Sequence, residues 1–168
     1  MTGVFVKANK LVYCKMKKKI ILSLFAVLAL TAFTMNATAQ RKAAMLNHIA
    51  LYVVDLKKST TYYRDIVQID TIPEPFHDGK HTWFTVGQHS QLHLIQGAKA
   101  GGVHDKNTHL CFTVPSIEDV IARLEKNKIP YTNWAGTGKT PTVRVDGVKQ
   151  IYFQDPDGYW IEVNNDKY

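Results

Sequence analysis

Two stretches of this 168-residue sequence repeat one another, and the repeat restricts the available folds more than any other feature. Asn47-His48-Ile49-Ala50-Leu51-Tyr52-Val53-Val54-Asp55-Leu56 aligns with Thr108-His109-Leu110-Cys111-Phe112-Thr113-Val114-Pro115-Ser116-Ile117, with His48 and His109 61 positions apart. Further on, Trp83-Phe84-Thr85 aligns with Tyr152-Phe153-Gln154, and Gln91-Leu92-His93-Leu94 with Trp160-Ile161-Glu162-Val163, now 69 positions apart. The second half therefore holds a net insertion of eight residues between those blocks. Each half reads as a strand, a helix and three strands, in modules spanning about 45–97 and 107–165.

Local signals agree with that reading. Asn47–Val53 alternates, with Ile49, Leu51 and Val53 on one face and His48, Ala50 and Tyr52 on the other. Thr108–Val114 sets Leu110, Phe112 and Val114 opposite His109, Cys111 and Thr113 in the same way. Asp55 and Ser116 follow these strands as helix N-caps. Leu56, Tyr63, Ile66 and Val67 give the first helix an apolar stripe, and Ile117, Val120, Ile121 and Leu124 the second. Gly97–Gly102 is a connector between the halves, and Asp155-Pro156-Asp157-Gly158 predicts a hairpin turn.

Strand parity also sorts the polar residues. Leu92 and Leu94 point one way and His93 the other; Ile161 and Val163 point one way and Glu162 the other. His48, His93, His109 and Glu162 thus all lie opposite their strand's aliphatic face. If the aliphatic faces pack on the helices, the remaining faces line a shared concave surface where the four side chains converge. Three imidazoles and a carboxylate form a donor set for a divalent transition ion, Zn, Ni, Mn or Fe. Tyr52, Cys111, Thr113 and Trp160 share faces with these ligands and, with Arg144, are candidates for the substrate pocket. His77, His81, His89 and His104 fall in loop-like or peripheral stretches.

The formal charge of +7 is unevenly placed. Residues 1–39 hold six of the 21 Lys and Arg residues and no acid, leaving 15 basic against 14 acidic residues in the rest. Such a balance gives no electrostatic footprint for nucleic acid. The leader itself has a Lys17-Lys18-Lys19 cluster, an apolar run from Ile20 to Phe33 and a small-x-small site at Ala37-Thr38-Ala39. This predicts a signal peptide over about 16–39, cleaved before Gln40, and a periplasmic or secreted protein with no stable membrane insertion. Met16 is an alternative start. Of the two cysteines only Cys111 lies beyond the leader, which excludes an internal disulfide in residues 40–168.

The order His48, His93, His109, Glu162 within two βαβββ halves resembles the vicinal-oxygen-chelate superfamily, which includes glyoxalase I, fosfomycin-resistance enzymes, extradiol dioxygenases and bleomycin-binding proteins. Tyr152-Phe153-Gln154-Asp155-Pro156-Asp157-Gly158-Tyr159-Trp160-Ile161-Glu162 resembles its C-terminal signature, and Tyr62-Tyr63-Arg64-Asp65 a helix segment common in it. The resemblance covers about residues 45–165 and implies an α+β fold, an eight-stranded U-shaped mixed sheet around the metal, and frequently a dimer that shares or swaps modules. It also implies that Glu162 acts as a metal-bound carboxylate that moves a proton between adjacent carbons of an α-oxo or vicinal-oxygen substrate. Two residues depart from glyoxalase I: His93 stands where a Glu is general, and Tyr52 where glutathione-using members carry an Arg. A glutathione-linked substrate is therefore not expected. An extradiol-type Fe(II) dioxygenase would use His48, His109 and Glu162, with His93 as an extra ligand or acid/base. A small-molecule binding or resistance protein is the third reading, and its fosfomycin-type form needs a phosphonate clamp to which Arg144 and Lys149 could contribute.

Overall fold

The computed structural model describes residues 43–167. The expected leader and its cleavage site lie outside the described residues. Two βαβββ modules follow each other in an α+β arrangement. The first comprises β1 (His48–Val53), α1 (Leu56–Tyr62) continued by a π-helical turn (Tyr63–Val67), β2 (Thr71–Ile72), β3 (His81–Val86) and β4 (Ser90–Gln96). The second comprises β5 (His109–Thr113), α2 (Ile117–Lys126), β6 (Tyr131–Thr132), β7 (Thr142–Val143), β8 (Lys149–Gln154) and β9 (Trp160–Asn164). The eight expected strands are joined by a ninth, β7, which falls within the stretch that is longer in the second half and pairs with β8.

Each module closes its sheet in the same way. The first and last strands run parallel, β1 beside β4 and β5 beside β9, in the orders β1-β4-β3-β2 and β5-β9-β8-β6. The helix is the crossover that a parallel pair requires. Both helices start as the sequence dictates. Asp55 Oδ1 accepts from the Lys58 amide at 3.0 Å, and Ser116 Oγ from the Asp119 amide at 3.0 Å. The first helix ends at Gln68, whose φ of 65° is a left-handed cap.

The aliphatic faces of both sheets contribute to one core. Leu51, Val53, Phe84, Leu92 and Leu94 of the first module meet Ile151, Phe153, Ile161 and Val163 of the second, with Leu56, Tyr63, Ile66, Ile117, Val120 and Leu124 of the helices. The Asp155–Gly158 turn, expected as a local hairpin, also clasps the other module. Asp157 accepts from the Val54 amide at 2.8 Å and the Ser59 hydroxyl at 2.7 Å, and Asp155 from the Tyr63 hydroxyl at 2.9 Å. Because alternate residues point to opposite faces, the polar face of each sheet turns away from this common core. Among the described residues no helix is long and apolar enough to cross a membrane.

Candidate metal centre

In the first module, His48 and His93 project from adjacent strands one register step apart, since His48 pairs with Gln91 and Ala50 with His93. Their rings stack at 4.3 Å between centroids, and Trp83 stacks on the other side of His93 at 4.0 Å. His93 is only 8% exposed. Burial, and then the neighbouring His48 and His81, hold its pKa below the ordinary imidazole value, which keeps it neutral and able to donate a lone pair. Trp83 Nε1, beside it, is a buried donor with no partner among the described residues.

In the second module, His109 pairs with Trp160 and Cys111 with Glu162, so the four share one face with Tyr152. Glu162 is 6% exposed. Its carboxylate accepts from the Tyr152 hydroxyl, from Asn164 Nδ2 at 3.0 Å and from Cys111 Sγ at 3.3 Å. Burial raises the carboxyl's pKa, but these hydrogen bonds and nearby His109 outweigh it, leaving Glu162 below its ordinary value and ionised. Cys111 is exposed as a residue, yet its sulfur lies against Glu162 and Asn164. Burial of the thiol and the Glu162 carboxylate push it up to about 12, so it is a neutral donor.

The three imidazoles share one property that residue spacing could not reveal. Each has a ring nitrogen 2.8 Å from an oxygen: His48 Nδ1 at Asn47 Oδ1, His93 Nε2 at Gln91 Oε1 and His109 Nδ1 at the Lys106 carbonyl. An amide or carbonyl oxygen only accepts, so that nitrogen carries a hydrogen, and in the neutral imidazole the other keeps the lone pair. This is the outer-shell arrangement that orients metal-binding histidines. His109 Nε2 then stands 3.3 Å from Glu162 Oε2. Two donors each ~2.1 Å from one ion would be roughly 3.0–3.4 Å apart at octahedral and tetrahedral angles. The donor set fits a divalent ion.

Within one chain, however, the four residues form two pairs, His48 with His93 and His109 with Glu162. Among the described residues no group of three or more His, Cys, Asp or Glu side chains is placed to hold one ion. The physical reason is the shared core, which draws the aliphatic faces together and turns the ligand faces outward. A cleft of about 180 Å³ beside β5 is lined by Leu46, Ile49, Gln91, His109 and Cys111 among others.

The expected pocket residues are placed as follows. Thr113 bonds Asn164 at 3.2 Å, and Trp160 Nε1 donates to the His104 carbonyl at 3.1 Å. Tyr52 lies exposed on the ligand face of β1. Arg144 pairs with Asp146 and, at 3.7 Å, with Asp166, while Lys149 is 3.1 Å from Glu118. Both cations are thus engaged by carboxylates. His81 opens β3 rather than lying in a loop, and is tied to Asp78 at 2.9 Å. Sequence reading passed over Trp83, Gln91, Tyr152 and Asn164, although strand parity alone puts each on the ligand faces.

A family described as Glyoxalase/Bleomycin resistance protein/Dioxygenase superfamily matches residues 45–163, from ahead of β1 into β9. The chain belongs to that superfamily. Its relatives within the superfamily include mouse (Mus musculus) mitochondrial methylmalonyl-CoA epimerase, 32% identical over 103 residues. That alignment covers 52% of this chain and 56% of the mouse protein, so the chain spans little more than half of that relative's length. A lactoylglutathione lyase from Pseudomonas putida is 27% identical over 166 residues, covering 79% of this chain and 90% of that one. Among solved structures, a glyoxalase/dioxygenase from Nostoc punctiforme superposes with a TM-score of 0.61 at 24% identity, over 79% of this chain and 98% of that one. The last likeness is one of fold.

Proposed function

We propose that this superfamily member is an exported, metal-dependent lyase or isomerase of the glyoxalase type, acting on a small α-oxo or vicinal-oxygen substrate that is not glutathione-linked. The observation that carries the reading is the set of anchored imidazoles. His48, His93 and His109 each have one nitrogen tied to an oxygen and the other free to donate, and Glu162 is held ionised beside His109. Zn, Ni, Mn or Fe held by these residues would polarise adjacent substrate oxygens. Glu162 is the group able to take a proton from the carbon between them and return it. The Tyr152 hydroxyl and Asn164 amide fix the orientation of its carboxylate, and His93 supplies a second neutral base on the other half-site.

The same reading takes two copies of the chain, with His48 and His93 of one copy facing His109 and Glu162 of the other. Support comes from the division into two half-sites and from β1 and β5, which end their sheets with one side unpaired among the described residues. Apolar side chains stand exposed at the start of β1, Leu46 just ahead of it at 62% and Ile49 within it at 39%. Open, apolar strand edges are surfaces that proteins ordinarily cover.

The test is elemental analysis of the untagged chain beside His48→Ala, His93→Ala and Glu162→Ala. About one Zn, Ni or Mn per chain, lost in all three variants, is the expected result. Iron retained in the His93 variant but lost in the others would move the reading to an Fe(II) dioxygenase. An absence of metal after reconstitution would leave a small-molecule binder.

A further inference from the structure

Lys106 lies in the turn that precedes β5, between the flexible connector and His109. Its carbonyl anchors His109 Nδ1, and its side chain folds back over the ligand face of the second module. The ammonium stands 4.6 Å from the centre of the Tyr152 ring, 5.2 Å from Trp160 and 5.7 Å from Trp134. Two of its hydrogens go to the Asn133 and Trp134 carbonyls at 2.7 and 2.8 Å. Among the described residues the third has no acceptor, and no carboxylate lies within ion-pair distance of the ammonium.

That placement is uncommon for a lysine. A half-buried cation normally has an anionic partner, and here three aromatic faces and two carbonyls hold the charge in position without neutralising it. The Tyr152 ring that carries the ammonium on its face also bonds Glu162 through its hydroxyl and meets the His109 ring edge-on at 5.6 Å. One phenol ring therefore separates the free N–H from the candidate ligands. By contrast Arg144 and Lys149 are both engaged by carboxylates.

We propose that Lys106 determines substrate specificity at this site, its ammonium receiving a carboxylate or phosphonate oxyanion at the end of the substrate remote from the reacting carbons. This rests on the small-molecule site proposed above, and it adds that the substrate is anionic. The ring cluster could in principle serve a ligand cation, but Lys106 already fills it.

The experiment titrates the metal-stripped full chain with malonate, methylphosphonate, the uncharged malonamide and tetramethylammonium, read by tryptophan fluorescence, since Trp134 and Trp160 flank the ammonium. Wild type is expected to bind the two anions and to prefer malonate over malonamide by about 10- to 100-fold, the range of one charge-assisted hydrogen bond. Lys106→Gln should lose that preference, and Lys106→Arg should keep most of it. Raising the salt concentration should weaken malonate and leave malonamide unchanged, a readout that needs no variant to fold. The proposal is overturned if malonate shows no saturable binding, if Lys106→Gln keeps the preference, or if tetramethylammonium alone quenches the signal. Metal content is measured separately on the same proteins before stripping and after reconstitution. Charge selectivity without metal would sink the metal reading and leave Lys106; metal without charge selectivity would do the reverse.

Discussion

His109 Nε2 and Glu162 Oε2 face each other at 3.3 Å, close enough for the two to share a proton or a metal ion. Either cation would make the contact favourable. Everything else around the pair serves to keep it so: the Lys106 carbonyl fixes the imidazole tautomer, and Tyr152 and Asn164 hold the carboxylate. Four predictions follow from this geometry and from the way the two modules are joined.

Anchoring of His93 can be removed without touching a ligand. Gln91→Leu deletes the oxygen that fixes the imidazole Nε2–H. Metal affinity is expected to fall about 10- to 100-fold while the circular dichroism spectrum is unchanged. Equal affinity in a competition titration against a chelator would show that His93 needs no such partner.

Division of the site between copies makes a prediction about mixtures. A chain carrying His48→Ala and His93→Ala is co-refolded with one carrying His109→Ala and Glu162→Ala. If each site takes one half from each copy, a mixed dimer has one intact site and one empty, and binds about half the wild-type metal per chain. Both homodimers should bind none. If a single chain formed its whole site, the mixture would stay metal-free, and that result would sink the two-copy reading.

Asp155 gives stability a pH dependence. It is buried, and burial raises its pKa above the ordinary 3.8 despite hydrogen bonds from Tyr63 and the Tyr159 and Asp157 amides. Above the unfolded value and up to the raised folded value, the native chain holds more protons than the unfolded one. Its contribution to stability is therefore largest at low pH and declines as pH rises through that window. Asp155→Asn, which preserves the shape and an acceptor oxygen, should remove this decline. Urea denaturation from about pH 4 to 8 would show it as a difference between the two proteins that grows with pH; parallel curves would count against it.

Gly97 closes β4 at a φ of 139°, and a Cβ there would overlap the Tyr52 ring. Gly97→Ala should cost about 1–3 kcal/mol from backbone strain alone, with displacement of Tyr52 in addition. Adding Tyr52→Ala should recover the second part and leave the first. Full recovery in the double variant would mean that the backbone carries no strain.

How much of this was legible beforehand divides cleanly. Local chemistry was readable residue by residue: Asp55 and Ser116 do cap the two helices, the Asp155–Gly158 turn does join β8 and β9, and alternation placed His48, His93, His109 and Glu162 opposite the aliphatic residues of their strands. These follow from the two-residue period of a strand and from short-range hydrogen bonding, which act within a few residues. The tertiary structure decided what lies across long sequence separations. Lys106 reaches Tyr152, Asp157 holds Val54 and Ser59, and the carbonyl-type partners of the three histidines select which ring nitrogen is free. It also decided that both aliphatic faces share one core. Periodicity says which side of a strand is apolar but not what that side packs against, so the expected convergence of four ligands within a chain became two outward-facing pairs.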